Sequence, residues 1–331
     1  VTADAAVVVT FNTNASDGSD GTEEIPSWAS VAINKTDWYT VVEGDTSSDL
    51  TIRSIAITGN ITDRAGNNMT DFSIAGNNLN DVSTIQVDGV FPSISKVTAA
   101  PSTGALAEGE ATNITIQFSE EVTLTGTIDL TLNSDNTQQL SIPNADFAAL
   151  VTGLNDDGVS VSSGTVTYTV DDGDIENTSL DIETIAFSAG GKIVDPAGNE
   201  VTSITVPADQ ELRDNSDLTV ETVEPVIGTI TTTYVTGIYG IGAEIPITAN
   251  FLNGAGGSAE DMTLTGTGTI NVGIGNPAVV NNGTATFTAV DGLGKSVTGT
   301  YIVSTNDTEG DISVTSIELV NTSTLTDVPG N

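Results

Sequence analysis

Hydrophobic and polar positions alternate in short runs along this chain. Asn113 to Phe118 reads NITIQF, with Ile114, Ile116 and Phe118 on one face and Asn113, Thr115 and Gln117 on the other. A period of two with β-branched residues predicts a strand buried on one side. Comparable runs occur at Val7 to Phe11, Val166 to Val170, Leu180 to Ile185, Ile245 to Phe251 and Ile312 to Leu319, separated by Gly, Asn and Asp clusters. No stretch shows helical periodicity, so the predicted class is all-β.

Three segments align with one another: WYTVVEGDTSSDLTIRSIAITGNITDRAGN from Trp38, VTYTVDDGDIENTSLDIETIAFSAGGKIVDPAGN from Val166 and TYIVSTNDTEGDISVTSIELVNTSTLTDVPGN from Thr300. Each is an aromatic strand, an acidic loop, an aliphatic strand and a closing D-x-x-G-N turn. Self-similarity at this period predicts an array of units. The stretches VDGVFPSI from Val87 and VETVEPVI from Val220 read as short, stiff Pro-bearing linkers. The expected organisation is three tandem immunoglobulin-like β-sandwich domains, 1–91, 92–224 and 225–331. At 331 residues the chain fits about three sandwiches of about 100 residues each. The first unit opens without the P-x-I strand of the others, and the third stops without a closing strand. Either the chain is a piece of a longer array, or neighbouring chains supply strands, with Val1 to Phe11 as a candidate donor.

Composition narrows the function. Cysteine and histidine are both absent, which removes disulfides, Cys nucleophiles, His-dependent triads and the usual zinc ligands. The 45 acidic against 7 basic residues give a net charge of −38, which repels nucleic acid and anionic lipid. No apolar run approaches the roughly 20 residues of a membrane span. A halophile's acidic surface would explain the charge without any site. The carboxylates, however, recur in loops at matching positions, which points to cation coordination.

Calcium takes 6 to 8 oxygen ligands, and Asp/Asn/Gly loops offer carboxylate, amide and carbonyl oxygens together. The candidate ligands are Asp63 with Asn67, Asp195 with Asn199 and Asp327 with Asn331 in the three turns. The following linker acids, Asp88 and Glu221, and Glu108 and Glu110 of the next unit complete the set. The plainer reading is that each turn is an Asx-turn closing a hairpin without metal. The second acidic loops, at Asp45 and Asp49, at Asp171, Asp172 and Asp174, and at Asp307 and Asp311, read as solvated hairpin loops. Trp38, Tyr168 and Tyr301 read as equivalent core aromatics. Nine N-x-S/T sequons, at Asn14, Asn34, Asn60, Asn68, Asn113, Asn177, Asn282, Asn306 and Asn321, are candidate glycosylation sites.

The phrases GE-x-x-NITIQFSEEVTLTGTIDLTL from Gly109 and IVDPAGN from Ile193, with the acidic-x-x-x-Pro linkers, resemble bacterial Ig-like repeats of surface proteins and adhesins. The resemblance implies an extracellular, non-catalytic array that forms a stalk and holds calcium where units meet. Two functions follow as expectations. One is a structural subunit of an extracellular filament or surface layer, partnered by copies of itself. The other is a stalk segment of a large adhesin that meets a host or cell-surface ligand elsewhere. A glycosidase needs two carboxylates in a cleft, but the chain has few aromatic residues to serve as sugar platforms.

Overall fold

The structure is a computed structural model. It describes all residues except 14–20, 30–31, 33, 75, 135–138, 144–152, 155–159, 172, 255–256, 275–278, 293, 306, 308–309 and 328–331. The candidates Asn14, Asp172, Asn306 and Asn331 lie outside the described residues, as does the side chain of Asn282. The chain is nearly all β, with 48% of residues in strands and 3% in helices, as the alternation predicts. Among the described residues no helix is long and apolar enough to cross a membrane.

The middle repeat shows how alternation becomes a core. Ala111–Phe118 runs antiparallel between Ile94–Ala100 and Ser163–Thr169. A second sheet sets Thr127–Leu132 between Leu140–Pro143 and Ile182–Phe187. Successive side chains of a strand point to opposite faces. Ile114, Ile116 and Phe118 from the first sheet and Ile128, Leu130 and Leu132 from the second are therefore all fully buried in one apolar cluster. Thr123–Thr125 pairs with Lys192–Val194, which leads into the turn at Asp195. The repeat closes with Asp217–Val220, laid parallel to Thr103–Leu106.

The third repeat pairs its strands in the same order. Glu244–Asn253 lies between Pro225–Thr231 and Ser296–Ile302, and Gly268–Ile274 lies between Val279–Phe287 and Ile312–Leu319. Met262–Thr265 pairs with Thr324–Asp327. One added pairing, Thr286 with Thr300, joins the two sets into a single six-stranded sheet. Its core gathers Ile245, Ile247, Phe251, Ile270, Phe287 and Tyr301. Gly283 lies under Tyr301, where an added Cβ would stand 2.2 Å from the ring, so only glycine fits.

The first repeat reproduces only part of this pattern. Val7–Phe11 runs between Thr22–Ile25 and Ile52–Ile57, Thr2–Ala3 pairs with Ile61–Thr62, and Thr46–Ser47 pairs with Val87–Asp88. These match the second sheet and the closing strand of the middle repeat. Two small clusters, around Val9, Phe11, Leu50 and Val87 and around Ala3, Val7 and Ile61, form its core. The segment around Trp38 and Tyr39 carries no described strand pairing, and Trp38 is 83% exposed. Within this chain the Val7–Phe11 part of the candidate donor Val1 to Phe11 is paired on both edges, with Val7, Val9 and Phe11 buried.

Candidate cation sites at the joints between repeats

The D-x-x-G-N turn forms by local hydrogen bonding. Asp195 Oδ1 accepts the backbone N–H groups of Gly198 at 2.7 Å and Asn199 at 2.8 Å, and Oδ2 accepts from Asn199 Nδ2 at 2.7 Å. Gly198 sits at φ 99°, in the left-handed region that favours glycine. Asp63 repeats this closure with the backbone N–H groups of Ala65 and Asn67 and with the Asn67 amide, each at 2.8 Å. The Asn67 amide and N–H hold the Asp63 carboxyl below its ordinary range. As a turn, D-x-x-G-N therefore needs no metal.

What differs between the copies is what the turn faces. Asn199 Nδ2 also donates to the carbonyls of Asp88 at 3.0 Å and Val90 at 3.2 Å, which ties the turn to the linker that precedes its repeat. Asp195 is buried there, at 5% exposure. Asp88, Glu120 and Asp195 bring one carboxylate oxygen each to within 4.8 Å of one another. Glu120 leaves the strand Ala111–Phe118 at its end nearest the linker, where Ser119 N–H donates to Ser93 O at 2.8 Å. Burial, and then the charges of Asp88 and Asp195, push the Glu120 carboxyl up to about 7. None of the described ion pairs reaches these three carboxylates.

The second joint gathers the matching positions. Glu221 corresponds to Asp88, Asp327 to Asp195, and Glu260 to Glu120; the last two glutamates each stand six residues before the glycine of a shared T-L-T-G. Burial and then the charges of Glu260, Glu176 and Asp327 push the Glu221 carboxyl up to about 7. Asp327 is 2% and Glu260 9% exposed. Asn253 Nδ2 spans the joint, donating to Glu221 Oε1 at 2.5 Å and Glu176 Oε1 at 3.2 Å.

The structure therefore groups the sequence candidates differently. The second and third turns meet the linker before their own repeat, not the one after it. Asp195 and Asn199 join Asp88, and Asp327 joins Glu221. Asp63 and Asn67 stand exposed past the far end of Ile52–Ile57 from Asp88, outside any described carboxylate cluster. Glu108 and Glu110 sit by the start of Ala111–Phe118, the end opposite Glu120, and Glu110 Oε2 accepts from Ala107 N at 3.1 Å. Glu120, Glu176 and Glu260 were missed from sequence. The signal for two of them was the shared E-[ED]-[VM]-T-L-T-G that begins at Glu120 and Glu260.

The second acidic loops are not merely solvated. Tyr168 donates to Asp174 Oδ2 at 2.7 Å, and Asp171 N–H donates to the same oxygen at 3.0 Å. Tyr301 and Ser304 N–H bind Asp307 Oδ2 likewise, as Tyr39 and Val42 N–H bind Asp45 Oδ2. Asp45 is fully buried and Asp174 8% exposed. Burial, and then the hydrogen bond to the carboxylate, push the Tyr39 hydroxyl up to about 12 and raise that of Tyr301 as well. The core aromatic equivalent to Tyr168 and Tyr301 is thus Tyr39, not its exposed neighbour Trp38.

Comparison with protein-family models finds no match, and comparison with curated proteins finds none either.

Proposed function

We propose that the chain is a row of three Ig-like β-sandwiches, 1–91, 92–224 and 225–331, whose two joints bind calcium. It would serve as a structural subunit of an extracellular filament or surface layer that assembles head to tail with copies of itself. The observation that carries this reading is the acidic triad of Asp88, Glu120 and Asp195, whose carboxylate oxygens lie within 4.8 Å of one another at one joint; at the other, the matching Glu260 and Asp327 act by charge on Glu221 without closing into so tight a group.

The donor set fits a hard cation. It is all oxygen, it mixes exposed and buried carboxylates, and carbonyls of the linker lie beside it. Three carboxylates this close repel one another strongly in a partly desolvated site, and a divalent ion converts that repulsion into attraction. Each triad draws an acid from the linker and two from the following repeat, so a bound ion would fix the angle between neighbours. Glu176 would extend the second site into the preceding repeat. The surplus of acid over base fits a chain that gathers cations, and the absence of cysteine leaves calcium as the staple.

Small-angle scattering tests the reading. With millimolar calcium the intact protein should give the profile of a rigid rod, and with chelator that of a flexible string. Electron micrographs of the calcium form should show filaments or sheets with a regular repeat. Identical profiles in calcium and chelator, with only single particles in the images, would refute it.

A further inference from the structure

The two joints differ by an insertion. From Pro92 and Pro225 to Phe118 and Phe251 the middle and third repeats run without a gap, but Glu120 follows Phe118 by two residues and its counterpart Glu260 follows Phe251 by nine. The longer connection closes on itself. Glu260 N–H donates to Phe251 O at 3.1 Å, Asn253 N–H to Ser258 O at 3.0 Å and Gly257 N–H to Gly254 O at 3.3 Å, and Leu252 bridges to Ala259. The strand Glu244–Asn253 is thereby carried two residues past Phe251, with Asn253 at its tip.

Both acids that Asn253 reaches are anchored on the far side of the joint. Asn177 and Val220 exchange backbone hydrogen bonds at 2.9 and 2.8 Å, so Glu176 and Glu221, one residue outside that pairing, come side by side on the middle repeat. Thr222 Oγ1 donates to Asp174 O at 3.2 Å and holds the linker to the same repeat. Asn253 Nδ2 has two protons and gives one to each acid. Hydrogen bonds to ionised acceptors are about twice as strong as neutral ones, and here the positive end of the amide lies between two carboxylates that repel each other. Next to it Gly254 lies against Val223 of the linker, where an added Cβ would stand 2.8 Å from Cγ1.

The first joint is built otherwise. Phe118 is followed directly by Ser119 and Glu120, and Ser119 N–H bonds Ser93 O at the start of its own repeat. The amide that crosses there, Asn199, bonds the neutral carbonyls of Asp88 and Val90. Among the described hydrogen bonds none sets an amide between the carboxylates of Asp88 and Glu120. We propose that Asn253 is a cation-independent lock on the second joint: with its amide between Glu176 and Glu221 it holds the third repeat to the middle one before any ion binds, so that the cation-free chain bends mainly at the first joint, around residues 88–92. The lock rests on the proposed function only for its place in a rod, since its bonds need no calcium. At the second joint an ion would add to an order already present; at the first it would create that order.

The test uses spin-label pairs on the intact protein, which has no cysteine of its own. Exposed alanines serve as sites: A56C with A186C across the first joint, and A186C with A289C across the second. In chelator, double electron–electron resonance should give a narrow distance distribution across the second joint and a broad one across the first. N253A removes two hydrogen bonds to charged acceptors, and should raise the share of open conformers at the second joint about tenfold while leaving the first unchanged. A second variant, with one Ser in place of residues 252–259 to copy Phe118-Ser119-Glu120, should make the second joint as broad as the first. Equal breadth at the two joints in chelator, or a second-joint distribution that N253A leaves unchanged, would overturn the lock. The same samples judge calcium separately: if added calcium narrows neither the first joint nor the N253A second joint, the calcium reading falls and the lock stands.

Discussion

Two sets of acids in this molecule have the same chemistry and opposite surroundings. Asp174, in the clasp with Tyr168, is buried and receives a hydroxyl and a backbone N–H from its own turn. Asp195 is buried too, but beyond its own turn it faces Asp88 and Glu120. Burying a charge is costly unless hydrogen bonds or an opposite charge compensate it. The clasp supplies that compensation from within one repeat, so its acid is a structural part. Asp195 has the hydrogen bonds of its own turn as well, but at the joint its carboxylate also meets those of Asp88 and Glu120, a repulsion that a proton or a cation would relieve. Recurrence of acidic positions therefore does not by itself mark a metal site, since both sets recur; the two sets differ in what the acid faces.

The largest effect should come from breaking a clasp. Asp174→Ala leaves the buried Tyr168 hydroxyl without its carboxylate, and should cost the middle repeat about 3 kcal/mol in denaturant unfolding, with or without calcium. Removing calcium should be next. A ligand at about 100 times its dissociation constant stabilises by about 2.7 kcal/mol per site, so chelator should lower the melting point of the wild type but not the cost of Asp174→Ala.

Glu120→Gln sharpens the contrast, because it removes repulsion from the cation-free joint. In chelator it should melt at or above wild type, and in calcium below it. A pH titration of stability follows from the same acids. The carboxyls of Glu120 and Glu221, pushed up to about 7 in the folded protein, bind protons that the unfolded chain, with ordinary glutamate values, has already released. In chelator stability should thus fall as pH rises from about 4.5 to about 7 and level off above. Saturating calcium should flatten that slope. The smallest effect should be that of Asn199→Ala, about 1 kcal/mol, since it frees the carbonyls of Asp88 and Val90 to water.

The β class was legible because a period of two, as in NITIQF, states which face is buried wherever the partner sheet lies. The clasps were partly legible: an aromatic and an aspartate six residues apart recur at Tyr39 and Asp45, Tyr168 and Asp174, and Tyr301 and Asp307. The adjacent Trp38 obscured this, since one residue along a strand is the difference between core and solvent. The direction in which each D-x-x-G-N turn faces was not legible. It depends on how many strands the chain crosses before returning to the linker, and local spacing carries no record of that count. Glu120 escaped notice for the same reason: it stands 32 residues from Asp88 and 75 from Asp195 in sequence, and only the strand pairing brings the three together.

Calcium titration calorimetry on the intact chain addresses the joints most directly. The account predicts saturable binding to the wild type, a partial loss of stoichiometry in Asp195→Ala and in Asp327→Ala, and abolition in the double variant. A wild type that takes up no calcium, or a double variant that binds as the wild type does, would contradict it.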